Sequence, residues 1–124
     1  MNWPRAHWWV GTLTLALFLL SGAYMRWVAH VPQLQDLTRS VYRSRHLFIL
    51  LAALVNLAMS TGHPPARRVQ RVISTLMLIA PMLLLTAFWV EPGEGIEAGP
   101  WSQYGLFMLF GAAALLVVQR TPRS

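Results

Sequence analysis

Residues 72–90 read VISTLMLIAPMLLLTAFWV, nineteen positions without a charge. As a helix rising about 1.5 Å per residue, this stretch spans about 28 Å, close to the hydrocarbon thickness of a bilayer. Three further apolar runs, at 8–28, 46–62 and 101–118, are of similar length. The four runs occupy most of the 124 residues and leave no stretch from which a water-soluble domain could be built. The pattern predicts an all-α fold, a single domain over residues 1–124. It is an integral membrane four-helix transmembrane bundle, antiparallel and up-down.

The composition agrees. Hydrophobic residues make up 56% of the chain and charged residues 11%, against roughly 25% charged in a soluble domain. All of the basic charge is arginine, ten residues with no lysine. These arginines flank the apolar runs instead of forming a stripe on a soluble face, which excludes nucleic acid and points to lipid headgroups. Cysteine is absent, so there is no disulfide and no thiol chemistry.

The first run has two readings. Arg5, an apolar stretch and Ser21-Gly22-Ala23 have the outline of a signal peptide. Against cleavage, the apolar stretch continues through Tyr24, Met25, Trp27 and Val28. Trp3, Trp8 and Trp9 also form the aromatic belt of an interfacial anchor, so a retained span is expected. Thr14, Leu17, Ser21 and Tyr24 share one face of this helix.

In the connection 29–45, His30-Val31-Pro32 breaks the helix. Leu34, Leu37 and Val41 then recur at helical spacing, opposite Gln35, Asp36, Arg39, Ser40 and Arg43. This predicts a short amphipathic helix between helices 1 and 2, lying in the interface or running into the second span.

The second span is the most patterned. Ile49, Ala52, Ala53, Asn56 and Ser60 fall on one side, and the leucines fall largely on the other. The small and polar side should face other helices. Gly62 and Pro64-Pro65 end the span. In the third span Pro81 removes a hydrogen bond to the carbonyl of Met77, which predicts a kink or a hinge. A turn-rich loop at 91–100 carries Glu91, Glu94 and Glu97. The fourth span carries Gly105, Gly111, Ala112, Ala113 and Ala114 as packing residues.

Four crossings put Arg5, Arg67, Arg68, Arg71, Arg120 and Arg123 on one side. Arg26, Arg39, Arg43 and Arg45 lie on the other, with all four acids. The majority of arginines marks the cytoplasmic side, so both termini are expected there and the location is the inner (plasma) membrane.

Four histidines are the candidates for chemistry. The topology sets His7 and His63 near the inner surface, and His30 and His46 near the outer. Two pairs at opposite ends of a bundle suit axial ligation of haem b, and His30 with His46 suits a small metal site. The plainer reading places all four rings at the interface, with no cofactor. Asn56, well inside an apolar span, is either a solute contact or interhelical glue, with Ser60 or Thr14 as its partner; Thr14 and Ser21 are able to bond across helices in the same way. Arg39, Arg43 and Arg45, with Arg26, form an anion site or pair with Asp36 and the 91–97 acids. Arg67, Arg68 and Arg71 are expected to meet anionic headgroups. No hydrolase, zinc-protease, nucleotide or dinucleotide motif is present.

The stretch Tyr42-Arg43-Ser44-Arg45-His46-Leu47, continuing through 52–57, is similar to one in small four-span bacterial membrane proteins of unassigned function. The overall plan also looks like half of a copper-resistance or cytochrome b561-type module. Neither resemblance adds a site residue. The expected function is that of a non-enzymatic accessory bundle, packing with itself or with a larger membrane complex. The alternatives are a haem- or metal-binding redox module and a small-solute transporter component.

Overall fold

The structure, a computed structural model, describes residues 1–93 and 99–120. Among these residues it is all-helical, with α1 (Trp3–Trp27), α2 (Asp36–Ser60), α3 (Arg68–Val90) and α4 (Pro100–Arg120). All four are long and apolar enough to cross a membrane. Glu94, Glu97 and Arg123 lie outside the described residues.

The helices begin and end where local chemistry allows. α1 starts upstream of its apolar run because Asn2 Oδ1 accepts the Arg5 backbone N–H (3.3 Å) and Pro4 lies in the first turn. It stops at Trp27, where the Tyr24 carbonyl accepts both Val28 and Ala29 N–H, and the chain then turns through His30 at φ 48°. A 3₁₀ turn at Val31–Gln33 is all that separates α1 from α2. The amphipathic segment does not stand as a helix of its own but, as the second of the two expected arrangements had it, runs into the second span: with no Pro or Gly between Pro32 and Gly62, it forms the first turns of α2. At the start of α3, Gln70 Oε1 accepts the N–H groups of Ala66 (3.0 Å) and Arg67 (3.2 Å). α3 is unbroken through Pro81.

α1 packs chiefly on α2 and α4 chiefly on α3, with α2 and α3 joining the two pairs; α1 and α4 share no substantial interface. The seams differ in kind. Between α2, α3 and α4 the core is apolar, built on Ala52, Ala80, Leu84 and Leu109, then on Ile73, Met77 and Ala112. Between α1 and α2 it is small and polar. The buried residues of α1 are His7, Gly11, Thr14 and Ser21, a stripe with steps of four, three and seven that returns to one helical face. Gly11 is needed for the approach, since a Cβ there would stand 2.9 Å from the backbone nitrogen of Leu57.

Candidate functional site

Three polar constellations are built on this frame. The first joins α1, α2 and α3. Pro81 has no N–H, so the Met77 carbonyl four residues earlier lacks its helical donor. Asn56, 0% exposed, fills that place: its Nδ2 donates to Met77 O (2.9 Å) and to Ala52 O (2.9 Å). With both amide protons committed, Oδ1 must be the atom facing His7 Nδ1 at 2.7 Å. His7 therefore donates from Nδ1, and Nε2 carries a free lone pair. That Nε2 is buried without a hydrogen-bond partner. The partners expected for Asn56 are corrected accordingly. Ser60 is bound instead to the Leu57 carbonyl of its own helix (2.6 Å), and Thr14 is buried along the same stripe as His7.

The second constellation lies farther along the α1–α2 seam. Ser21 Oγ donates its one proton to Phe18 O (2.9 Å) and lies 3.0 Å from His46 Nδ1. His46 must then be the donor to Ser21, which again leaves Nε2 as a lone-pair nitrogen. The ring stacks on Phe18 at 4.1 Å and neighbours Phe88, a buried hub that also meets Tyr24, Tyr42 and Trp89.

The third constellation centres on Glu91, 2% exposed. Its Oε2 accepts Arg45 Nε–H at 2.5 Å, and its Oε1 accepts the Ser102 backbone N–H at 2.8 Å. One carboxylate thus pairs with α2 and caps the N-terminus of α4, where the free N–H groups favour negative charge. Gly99 leaves it room, because a Cβ there would overlap the Glu91 carboxyl group. Ser102 Oγ donates to Gly99 O (3.2 Å). The pairing expected between this arginine cluster and the 91–97 acids is met by Arg45 and Glu91, as a buried ion pair with the Glu91 carboxylate drawn under the α4 terminus.

The remaining sequence candidates fall as follows. Arg39 pairs with Asp36 and donates to Pro32 O (3.2 Å). Arg26, Arg43, Arg67, Arg68 and Arg71 make no ion pair among the described residues. His30 is exposed. His63, also exposed, borders a cavity of about 570 Å³ between the end of α2 and the start of α3, where Ser74 and Gln70 lie. His7, in the first turns of α1, is 1% exposed and packed into the α1–α2 seam. No cluster of three metal-ligating side chains occurs among the described residues, and no two histidines there share a hydrogen bond or ring contact.

Sequence reasoning anticipated the pairing of Arg45 with an acid of 91–97 but missed Ser102 and the cap that Glu91 gives α4. The available signal was an acid directly after a span, followed by Gly99-Pro100, a helix start with no side-chain cap of its own. No protein-family model matches this chain, and neither does any curated protein or solved structure.

Proposed function

We propose that the chain is a multi-pass integral membrane protein of a bacterial inner membrane, four antiparallel spanning helices with both termini cytoplasmic. It acts as a non-enzymatic packing component of a homo-oligomer or a larger membrane assembly. The observation that carries this reading is the inversion of α1. That helix buries His7, Gly11, Thr14 and Ser21 while Trp9 (66% exposed), Leu13, Leu19 and Leu20 face outward. In water this arrangement leaves a large apolar surface uncovered. In lipid it is favourable, because polar groups find partners only inside the protein. The pairings of His7 with Asn56 and Ser21 with His46 run in opposite order along the two helices, which supports the antiparallel arrangement. An assembly role rests on α4, which packs chiefly on α3 and leaves Phe107, Phe110, Gly111, Ala114 and Val118 outward in one row.

Because the chain has no cysteine, a single introduced one reports cleanly on topology. Gln35→Cys and Ala66→Cys are both exposed positions between helices. In intact cells an impermeant maleimide should label the Gln35→Cys variant directly and the Ala66→Cys variant only after permeabilisation. Labelling of both variants in intact cells, or recovery of the chain in the soluble fraction, would sink the reading.

One observation favours a second reading, a redox module. His7 Nε2 is a buried imidazole nitrogen with an unshared lone pair, a ligand-ready atom. The purified protein would then show a Soret band that shifts with dithionite and vanishes in His7→Gln. A colourless, metal-free protein excludes it.

A further inference from the structure

At the end of the α1–α2 seam a cleft of about 190 Å³ opens between the two helices and the Val31–Gln33 turn. Its floor is apolar, formed by Met25, Val31 and Pro32, and its rim carries Arg26 and Arg43. His46 closes the back, opposite Gly22, where a Cβ would lie 3.5 Å from Nε2.

The charge at this rim is unbalanced. Four arginines gather at this end of the seam, and among the described residues only Arg39 and Arg45 are matched, by Asp36 and Glu91. Arg26 and Arg43 have no acidic partner among the described residues. Two guanidinium groups beside one cleft form the donor set that recognises a tetrahedral oxyanion.

His46 narrows the choice of anion. Its ring is held by the stack on Phe18 and by donation from Nδ1 to Ser21 Oγ, so in the neutral ring Nε2, the nitrogen left for a ligand, accepts a hydrogen bond and does not donate one. A fully ionised sulfate has no hydrogen for it. A phosphomonoester has a second pKa near 6 and carries a P–OH in an appreciable fraction at neutral pH. The apolar floor suits the carbon substituent of such an ester.

The turn that forms the floor is held in place. His30 adopts φ 48°, a left-handed conformation unusual for a side-chain-bearing residue. That turn buries Val31 to 2% exposure, and Arg39 ties Pro32 O to α2.

We propose that this cleft binds a phosphomonoester. Arg26 and Arg43 hold its oxygens, its P–OH donates to His46 Nε2, and its carbon chain lies on Met25, Val31 and Pro32. The site stands on the geometry of the cleft and holds whichever way the chain is oriented. The ligand is either a lipid headgroup of the phosphatidic acid type or a water-borne ester, and the two sources are separable by experiment.

The test is calorimetric titration of the full-length protein in a neutral detergent with dihexanoyl phosphatidic acid and with glycerol phosphate. Dihexanoyl phosphatidylcholine and sulfate serve as comparisons. Saturable binding of either phosphomonoester is expected, with phosphatidylcholine and sulfate at least tenfold weaker. Binding of the lipid alone identifies a headgroup site, and comparable binding of glycerol phosphate identifies a soluble ligand. Arg26→Gln with Arg43→Gln should weaken binding at least tenfold, while Arg67→Gln with Arg68→Gln stays within twofold. His46→Phe preserves the stack and should erase the preference for phosphomonoester over sulfate. Helical content and elution volume establish that each variant is folded. Absence of saturable binding, or equal effects of the two arginine pairs, overturns the site. An unchanged phosphate-to-sulfate ratio in folded His46→Phe overturns the role given to Nε2.

Discussion

Glu91 is the residue whose loss should be felt most. Its side chain is 1% exposed and that of Arg45 is 14%, so neither charge is well solvated once the other is gone. Breaking a buried pair by removing one partner costs about 3–5 kcal/mol. Glu91→Gln keeps an oxygen for the Ser102 N–H but removes the charge. Arg45 recovers part of the loss, because its slight exposure, its bond to Ser44 Oγ and its place over the Phe48 ring let the guanidinium turn outward. The low end of the range, about 3 kcal/mol, is therefore expected. Loss of charge at the α4 terminus adds roughly 0.5 kcal/mol. Arg45→Met, which strands the carboxylate, should cost at least as much. The double variant strands neither charge and should cost clearly less than the sum, with a coupling of at least about 2 kcal/mol. The assay is unfolding of the purified protein by sodium dodecyl sulfate in mixed micelles, followed by helical circular dichroism. Additive single-variant costs, with coupling below about 0.5 kcal/mol, would refute the claim that this pair is buried and joins α2 to the start of α4.

The same unfolding assay reads the other seams. Asn56→Leu strands the His7 Nδ1–H and the Met77 carbonyl and should cost about 2 kcal/mol. In a Pro81→Ala background, where residue 81 regains an N–H for Met77, that cost should fall by roughly 1 kcal/mol. Equal costs in the two backgrounds would separate Pro81 from Asn56. Gly11→Ala drives a Cβ toward the Leu57 backbone and should cost about 1–3 kcal/mol; a neutral result would mean that α1 and α2 are not closely apposed there. Ala52→Leu, at a fully buried position, should cost about 1–3 kcal/mol. Gly111→Leu, where an added Cβ meets nothing within 4 Å, should leave unfolding within about 0.5 kcal/mol. Any effect of Gly111→Leu then appears in cross-linking yield, and silence there removes α4 as the association face.

What could be read from the sequence was set by periodicity. The side of α2 predicted from Ile49, Ala52, Ala53 and Asn56 is the buried side, because small residues at helical spacing have one close-packed use. The helices run past the apolar runs, since apolar runs mark hydrophobic length whereas a helix extends until local chemistry stops it: α1 starts at Trp3 after the Asn2 cap, and α2 starts at Asp36, well before its apolar run. The burial of His7 is not legible from its place near the chain start. It depends on Gly11 admitting Leu57 one turn away, a contact between residues far apart in sequence. The split of the arginine cluster was equally hidden. Arg39 finds Asp36 within one turn, but Arg45 finds Glu91 only after the chain has returned through α3.

Pro81, Asn56 and His7 were each ambiguous alone: hinge or static proline, solute contact or glue, ligand or interfacial ring. Together they constrain one another. Pro81 exposes the Met77 carbonyl, and Asn56 fills it from α2. That bond ties the proline region of α3 to a neighbour, so a hinge there would have to release a buried carbonyl into apolar surroundings. In this structure Pro81 is accordingly part of the packing of α3 on α2. Committing both Asn56 protons to carbonyls fixes its oxygen toward α1, which fixes the proton on His7 Nδ1 and clears Nε2. Ser21, with one proton already given to Phe18, imposes the same tautomer on His46. Two histidines on different helices thus present the same lone-pair nitrogen for the same reason. They differ in what that nitrogen meets. Around His7 it is enclosed in the seam, and around His46 it lies at a cleft lined by Arg26 and Arg43, which have no ion pair among the described residues. His46 is accordingly the ring placed for recognition, and His7 is the polar anchor that holds α1 to α2.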